Sequence, residues 1–252
     1  MTNQIAIITG GSRGLGRNAA IYLAKAGVDS IITYNSNKDA ADETLAAIKA
    51  NGAKGIALQL DTSDVSGFDA FIREITRVLE EDFARNRFDF LLNNAGTGVR
   101  ALFSETTEEQ FDDMMNIHLK GVFFLTQKLG PLICDGGRIL NVSSGLARFS
   151  FPGSVAYAVM KGGVEVLTRY LARELCVRGI SANTLAPGAV ETDFRGGEVR
   201  DNREMNAQIG AMAAMGRVGL PDDIGPAIAS LFLSESNWIT GQRIEASGGM
   251  LT

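Results

Sequence analysis

Short apolar runs alternate with longer amphipathic segments along almost the whole chain. The runs predict seven strands, at residues 4–9, 30–34, 55–60, 88–93, 138–142, 180–185 and 242–245. The segments between them predict helices at residues 15–26, 38–50, 68–85, 108–132, 155–177 and 221–233. Near-continuously apolar strands that alternate with helices are typical of parallel strands covered on both faces. We therefore expect a doubly wound α/β sheet in one domain that spans residues 1–252.

One part of the chain does not follow this pattern. Residues 189–219 form an irregular excursion that contains Arg195-Gly196-Gly197 and several methionines. Such a segment suits either a mobile lid or a plain surface excursion, and both interpretations stay open.

Composition narrows the class of protein. Hydrophobic residues make up 45% of the 252 residues and charged residues 21%, which is typical of a globular protein with a large core. The formal net charge of −5 argues against a general nucleic-acid binder. The two cysteines, Cys134 and Cys176, lack the spacing of a zinc site or a disulfide framework. No apolar run suits a signal peptide or a membrane span, so we expect a cytoplasmic protein.

Glycine is more frequent than usual, with 29 residues against a common share of about 7%. A glycine-rich turn, Thr9-Gly10-Gly11-Ser12-Arg13-Gly14-Leu15-Gly16, follows the first predicted strand and opens the first helix. Glycines let the backbone approach a pyrophosphate, and the N–H groups and dipole of a helix N-terminus favour its negative charge. The turn therefore predicts a dinucleotide site formed by Gly10, Ser12, Arg13, Gly14, Leu15 and Gly16.

Further motifs stand at or after the ends of later strands, where doubly wound sheets bind ligands. They are Asn93-Asn94-Ala95-Gly96, Ser143-Ser144, Tyr157-x-x-x-Lys161 and Pro187-Gly188. Together with the T-G-x-x-x-G-x-G turn, they resemble the short-chain dehydrogenase/reductase family over essentially the whole chain. The resemblance implies a Rossmann-type fold and a nicotinamide cofactor. It also implies a homotetramer with the helices at 108–132 and 155–177 in one interface.

The end of the second strand, Tyr34-Asn35-Ser36, indicates which nicotinamide cofactor is used. No carboxylate stands there to hold two ribose hydroxyls or to repel a 2′-phosphate. Asn35 and Ser36 are able to donate hydrogen bonds to phosphate oxygens, and Arg13 adds positive charge. We therefore expect NADP(H) rather than NAD(H).

The resemblance implies additional cofactor contacts from adenine to nicotinamide, at Asp61, Thr62, Asn94, Ala95, Gly96, Pro187, Gly188, Val190 and Thr192. In the family the aspartate meets the adenine edge, the Asn-Asn-Ala-Gly segment lies against the adenosine ribose, and the Pro-Gly segment lines the nicotinamide. From the residues alone, Asp61 and Thr62 also suit a helix cap, and that alternative stays open.

The reaction centre is predicted from Tyr157 and Lys161, which share one helix face because they lie four residues apart. Ser144 precedes Tyr157 by the 13 residues that separate the catalytic serine and tyrosine of the family, and this spacing favours it over Ser143. Asn116 stands on the preceding helix, where the family has its catalytic asparagine.

The resemblance and the chemistry together assign roles to these side chains. A free phenol has a pKa near 10, and a nearby Lys161 cation with a positive nicotinamide would lower it. Tyr157 would then be the general acid, and Ser144 would donate a hydrogen bond to the substrate carbonyl. Lys161 would also bind the nicotinamide ribose, and Asn116 would hold a water that links Lys161 to solvent. His118, the only histidine, is interpreted as a packing residue.

These features predict NADPH-dependent, reversible reduction of a ketone or aldehyde. The methionines and four phenylalanines indicate an apolar or aromatic substrate; the phenylalanines are Phe103, Phe149, Phe151 and Phe194. One alternative is a 3-oxoacyl-acyl-carrier-protein reductase, whose acidic carrier requires a basic patch with Arg100, Arg148, Arg195 and Arg200 as its candidates. A second alternative is a sugar or polyol dehydrogenase. A third is a cofactor-sensing binding module, but a pure sensor does not need the proton donor that Ser144, Tyr157 and Lys161 provide.

Overall fold

The computed structural model describes residues 3–252 and contains a seven-stranded sheet in the order β3-β2-β1-β4-β5-β6-β7. All neighbouring strands are parallel, and the direction of winding reverses between β1 and β4. The doubly wound sheet is therefore confirmed. The strands are Ile5–Ile8 (β1), Asp29–Tyr34 (β2), Gly55–Gln59 (β3), Phe88–Asn93 (β4), Ile133–Val142 (β5), Ser181–Pro187 (β6) and Arg243–Ala246 (β7).

Helices cover both faces of the sheet because each presents an apolar stripe to it. One hydrophobic cluster joins the sheet to α1, α2 and α9, and a second joins it to α3, α5 and α6. The α-helices are Gly14–Lys25 (α1), Lys38–Ala50 (α2), Phe68–Phe83 (α3), Glu108–Met115 (α4), Gly121–Leu129 (α5), Val155–Leu175 (α6), Glu198–Asp201 (α7), Arg203–Gly210 (α8) and Pro221–Leu233 (α9). Within residues 3–252, no helix combines the length and the apolar character needed to cross a membrane.

The structure differs from the sequence pattern in three places. The helix predicted over 108–132 is divided by a π-helical turn at Asn116–Lys120. β5 begins at Ile133 rather than at residue 138, with an irregular register against β4. The excursion at 189–219 contains the short helices α7 and α8, preceded by a turn at Phe194–Gly197.

Candidate active site

The glycine-rich turn packs closely against the end of β4. Gly10 and Gly14 have φ values of +64° and +56°, a region that favours glycine. A Cβ on Gly16 would lie only 2.3 Å from the carbonyl oxygen of Gly10. The N-cap of α1, Arg13, makes no side-chain cap, and the first turn of α1 has no acidic residue. The first N–H groups of α1 are therefore available to a pyrophosphate.

Hydrogen bonds hold the Asn-Asn-Ala-Gly segment beside this turn. Thr9 Oγ1 accepts from the backbone N–H groups of Asn94 and Ala95, at 2.9 and 3.0 Å. The side-chain amide of Asn94 donates to the carbonyls of Thr9 and Gly10 over 2.9 and 3.1 Å. The predicted ribose-contacting residues and the predicted phosphate turn thus form one continuous surface.

The end of β2 lies open next to the same turn. Arg13, Asn35 and Ser36 are exposed, and Tyr34 is half-buried. Within residues 3–252, Arg13 forms no ion pair. Two exposed donors and one cation are therefore available on the segments from which the sequence predicts contacts to a 2′-phosphate.

The loop after β3 supplies Asp61 and Thr62. One carboxylate oxygen of Asp61 accepts from the backbone N–H and the hydroxyl of Ser63, at 2.9 and 2.6 Å. Asp61 therefore stabilises a turn rather than the start of a helix. The carbonyl of Thr62 packs against α5, where a Cβ on Gly121 would lie 2.1 Å from it.

Residues after β6 reach the glycine-rich turn from the other side. Gly188 donates its N–H to Ala246 over 3.1 Å, which fixes the end of the Pro187-Gly188 segment. Val190 forms a parallel bridge with Gly219. Thr192 lies beside Gly14, at 3.7 Å from the position of a Cβ there. The predicted pyrophosphate and nicotinamide ends of the site are therefore adjacent.

Ser144, Tyr157 and Lys161 meet at the end of β5. Ser144 caps a short 3₁₀ turn, with its hydroxyl accepting from Leu146 N–H at 3.2 Å. Tyr157 and Lys161 lie in the first two turns of α6 and are 8% and 4% exposed. The Nζ of Lys161 donates to the carbonyl of Val142 over 2.7 Å and lies 5.4 Å from the centre of the Tyr157 ring.

Ser143 points away from this group. Its hydroxyl donates to the carboxylate of Glu165 over 2.7 Å. The same carboxylate accepts from Arg243, which also contacts the carbonyl of Ser144. This network occupies the Ser143 hydroxyl and contacts the backbone of Ser144.

The ionisation of the pair differs from the sequence-based expectation. Burial raises the pKa of Tyr157 to about 12, and the Arg195 cation and the Ser144 hydroxyl only partly oppose it. Burial also lowers the pKa of Lys161 to about 7. Within the protein chain, Lys161 therefore does not lower the pKa of Tyr157 as expected. A desolvated amine is only partly charged near neutral pH, so it stabilises a phenolate less than a full cation would.

The structure brings His118 to the reaction centre. Asn116 begins the π-helical turn, and its side chain makes no hydrogen bond to Ser144, Tyr157 or Lys161. His118 is 1% exposed and stands edge-on to Tyr157, with ring centres 5.0 Å apart and planes at 88°. Its Nε2 lies 2.7 Å from the carbonyl of Thr97.

A signal for this placement exists in the sequence. Met114 is a buried residue of α4, and His118 lies four positions after it, so the two share a face in helical spacing. Asn116 lies two positions from each and so falls on a different face. His118 is thus a packing residue whose face meets Tyr157.

The turn Phe194–Gly197 covers Tyr157. The Phe194 ring centre lies 5.6 Å from that of Tyr157, and the Arg195 guanidinium lies 5.9 Å from it. Arg195 adopts φ +52°, and its guanidinium donates to Val99 O and Ser154 Oγ over 3.0 and 3.2 Å. A cavity of about 510 Å³ extends from Arg13 past the 96–98 segment to this turn.

Comparison with known proteins agrees with this arrangement. A family model described as enoyl-(acyl carrier protein) reductase matches residues 10–251. The 3-oxoacyl-[acyl-carrier-protein] reductase FabG of Staphylococcus aureus is 34% identical over 247 residues, 97% of each chain. The chain belongs to the short-chain dehydrogenase/reductase family. The resemblance stated from the motifs is thus confirmed.

Solved structures with the same fold include two reductases of ketones. LugOII, a promiscuous reductase that catalyses keto-reduction at C1 during lugdunomycin biosynthesis, is 36% identical with a TM-score of 0.94 and covers 99% of this chain and 98% of its own. The angucycline C-6 ketoreductase LanV, solved with bound NADP, is 34% identical with a TM-score of 0.93, at 98% and 95% coverage. These likenesses confirm the Rossmann-type fold of this short-chain dehydrogenase/reductase.

Most of the arginines proposed for a carrier-binding patch are engaged in ion pairs. Arg100 pairs with Glu198, and Arg200 pairs with Asp193 and Asp201. Arg148 holds Glu245 with two hydrogen bonds, at 2.9 and 2.8 Å. Among the described residues of this short-chain dehydrogenase/reductase, only Arg195 of the four lacks a carboxylate partner.

Proposed function

We propose that this short-chain dehydrogenase/reductase uses NADPH to reduce the carbonyl of a small apolar or aromatic ketone or aldehyde. The observation that supports this most directly is the meeting of Ser144, Tyr157 and Lys161 beside the glycine-rich turn. A hydroxyl, a phenol and an amine at one strand end provide a hydrogen-bond donor, an acid and a cation for a developing alkoxide.

The residues of the cofactor surface suit NADP(H). The uncapped start of α1 suits a pyrophosphate, and the exposed Arg13, Asn35 and Ser36 suit a 2′-phosphate. When bound, the reduced nicotinamide supplies the hydride that becomes the new C–H bond of the alcohol.

The chain's own side chains then handle the developing charge and the proton. The Ser144 hydroxyl donates to the carbonyl oxygen as negative charge grows on it. Tyr157 gives its phenolic proton to that oxygen, which completes the alcohol and leaves a phenolate. Lys161, held by Val142, stabilises the phenolate and supplies the replacement proton.

The wall over Tyr157 favours an apolar substrate. Phe194 lies against the Tyr157 ring, with ring centres 5.6 Å apart. LugOII, which catalyses keto-reduction at C1 during lugdunomycin biosynthesis, and LanV, an angucycline C-6 ketoreductase, support carbonyl reduction. The engaged arginines argue against a broad basic surface for an acyl carrier, although FabG supports that second function.

A homotetramer is part of this proposal. Apolar side chains remain exposed on the outer faces of the two helical regions expected at an interface: Phe111, Phe123, Val159, Val166 and Tyr170. Covering such a surface with another copy of the chain would remove it from water. Light scattering coupled to size-exclusion chromatography measures the assembly.

NADPH absorbance loss against a panel of carbonyl compounds tests the proposed reaction. The panel comprises aryl and polycyclic ketones, a small 3-oxoacyl thioester, the same oxoacyl group on acyl carrier protein, and sugars with polyols in the oxidative direction. We expect the aryl ketones to give the highest kcat/KM. A preference of 100-fold or more for the carrier-bound substrate over its small thioester would identify the acyl-carrier activity instead.

A further inference from the structure

Arg195 is a cation in the reaction centre that the proposed reaction steps do not use. Its guanidinium lies 5.9 Å from the centre of the Tyr157 ring and 5.7 Å from that of Phe194. The residue also lines the cavity of about 510 Å³ that extends from Arg13 past the 96–98 segment. A positive charge at the wall of a cavity attracts an oppositely charged group, so the charges around Arg195 decide what it binds.

The carboxylates that line the same cavity are engaged with other arginines. Asp193 pairs with Arg200, and Glu198 pairs with Arg100. Within residues 3–252, Arg195 itself forms no ion pair. Arg195 therefore brings a positive charge to the cavity that no carboxylate of the described chain balances.

Neutral oxygens hold the Arg195 side chain in place. Its Nη2 atom donates to the carbonyl of Val99 over 3.0 Å and to the hydroxyl of Ser154 over 3.2 Å. Its Nη1 atom makes no hydrogen bond within residues 3–252 and, unlike the Nε atom, is not buried. One amino group of a fixed guanidinium thus remains available to donate to a ligand.

Arg138 provides a contrast, because it too is half-buried and forms no ion pair within residues 3–252. Its guanidinium donates to the carbonyls of Leu231 and Ser234 at the C-terminal end of α9. The helix dipole places partial negative charge at that end. Arg195 has no such compensation, since the Ser154 hydroxyl that accepts from it stands at the N-cap of α6, the opposite pole of a helix.

The backbone of the covering turn accommodates Arg195 at the cavity wall. Arg195, Gly196 and Gly197 take φ values of +52°, +72° and +81° in succession. Glycine adopts this region freely, whereas an arginine in it is strained. Gly98 leaves room for the side chain, since a Cβ there would lie 2.6 Å from Nε of Arg195. A strained residue kept at a ligand cavity is typical of a residue with a function there.

We propose that Arg195 is a specificity-determining residue of this active site, and that it selects aromatic ketones that carry a carboxylate by pairing with that anion. The ring of such a substrate suits the apolar wall at Phe194, and the carboxylate suits the unbalanced guanidinium beside it. This inference rests on the proposed carbonyl reduction and narrows its substrates to keto acids with an aromatic group.

Matched pairs of ketones test this selectivity. 4-Oxo-4-phenylbutanoate and phenylglyoxylate carry a carboxylate at two distances from the ketone, and the methyl ester of each has no charge. For at least one pair, we expect kcat/KM for the acid to exceed that for the ester by about tenfold or more. In Arg195→Met this ratio should fall by about 10- to 100-fold, as for a lost hydrogen bond to a charged group. Ratios near 1 for both pairs, or a ratio unchanged in Arg195→Met, would overturn the proposal.

Salt and charge separate an ion pair from a change in the shape of the turn. Added NaCl screens charges, so the KM of the preferred acid should rise with salt while that of its ester stays nearly constant. Arg195→Lys keeps the charge without the planar fork and should retain part of the preference. Arg195→Glu should reverse the preference and favour an aryl ketone with a trimethylammonium group, a gain that a damaged turn would not produce.

Arg87→Met is the matched control, because the same substitution removes one positive charge far from the cavity. Arg87 directly precedes β4 and so lies at the opposite end of that strand from the site, where it pairs with Asp135. Its acid-to-ester ratio should stay within about twofold of that of the unaltered protein. A fall in Arg87→Met as large as that in Arg195→Met would assign the preference to the net charge of the protein.

Binding of NADPH shows whether Arg195 serves the cofactor instead. Fluorescence titration should give Arg195→Met an NADPH Kd close to that of the unaltered protein. A large loss of NADPH binding with an unchanged acid-to-ester ratio would assign Arg195 to a cofactor phosphate. Equal losses of kcat/KM for acid and ester would instead mean that Arg195 acts on Tyr157, and either result would overturn the proposal.

An unreactive acid distinguishes a failure of this inference from a failure of the proposed reaction. 4-Phenylbutanoate has no ketone to reduce, and calorimetry in the presence of NADP measures its binding. We expect it to bind about tenfold or more tightly than its methyl ester, and this advantage to disappear in Arg195→Met. If this holds but no carbonyl compound is reduced, only the proposed reaction fails. If carbonyl compounds are reduced and no acid is preferred over its ester, only the role of Arg195 fails.

Discussion

The Nζ atom of Lys161 donates a hydrogen bond of 2.7 Å to the backbone carbonyl of Val142, at the carboxyl end of β5. This bond ties the second turn of α6 to the strand that precedes Ser144. The hydrogen bond holds the Lys161 amine in the protein interior, where Lys161 is only 4% exposed. Because burial lowers the pKa of Lys161 to about 7, its charge changes within the range in which enzymes work.

The depressed pKa of Lys161 predicts a pH-dependent penalty on stability. Between about pH 7 and the ordinary lysine value of 10.5, the unfolded state binds more protons than the folded state, so the free energy of unfolding rises with pH. Below pH 7 the penalty is fully present. Lys161→Met should therefore be more stable than the unaltered protein at pH 6, and the difference should narrow towards pH 10. Urea unfolding at pH 6, 8 and 10 measures it.

An exposed lysine provides the matched control. Lys49 lies on the surface of α2, and Lys49→Met should show no comparable change of stability with pH. A constant difference between Lys161→Met and the unaltered protein across the three pH values would contradict the low pKa of Lys161.

Tyr157→Phe separates the acid from the binding surface. Phenylalanine keeps the ring contacts with His118 and Phe194 but removes the phenolic proton. We expect NADPH binding to persist and kcat to fall by roughly 10²- to 10⁴-fold, as for the loss of a positioned general acid. Fluorescence titration and NADPH absorbance measure the two effects. A Phe variant with full kcat would remove Tyr157 from the mechanism.

The strands and the triad of Ser144, Tyr157 and Lys161 follow from local patterns in the sequence. Apolar runs predict the strands because helices cover both faces of the sheet. The ends of the strands locate the site because parallel strands present their carboxyl ends at one edge of the sheet. Tyr157 and Lys161 need only one turn of helix to share a face.

The features missing from the sequence interpretation depend on longer-range structure. A π-helical turn at Asn116–Lys120 interrupts the helix predicted over 108–132, and the hydrophobic pattern does not indicate where it falls. Arg148 and Glu245 are 97 positions apart, and no local pattern relates them. Burial raises the pKa of Tyr157, and one of the rings that contact it, Phe194, comes from a segment of irregular pattern.

Arg13 should contribute to the choice between the two nicotinamide cofactors. It is exposed at the start of α1 and forms no ion pair within residues 3–252. Arg13→Ala should weaken NADPH binding by about tenfold or more, as for a lost charge-assisted hydrogen bond, and leave NADH binding nearly unchanged. Arg17, which lies on α1 and pairs with Glu43 of α2, provides the control variant Arg17→Ala. Equal losses for NADPH and NADH would refute the assignment.

Gly96 should be intolerant of a side chain because of His118. A Cβ there would lie 2.5 Å from the imidazole, which is buried and has little freedom to move. Gly96→Ala should lower stability by roughly 1–3 kcal/mol through overpacking and should reduce kcat as the ring shifts. Gly130→Ala is the control, since a Cβ at Gly130 meets no atom within 4 Å. Urea unfolding that gives both variants the stability of the unaltered protein would contradict this close packing.

Gly98 tests whether the turn Phe194–Gly197 opens separately from the core. A Cβ on Gly98 would lie 2.6 Å from Arg195 Nε and 2.7 Å from Phe194 Cζ, both on side chains of that turn. Gly98→Ala should displace the turn from Tyr157 while the sheet stays folded, because the clash involves side chains near the surface. Trypsin should then cut after Arg195 faster than in the unaltered protein or in Gly130→Ala, as mass spectrometry would show. An unchanged cleavage rate would mean that the turn absorbs the methyl group without leaving Tyr157.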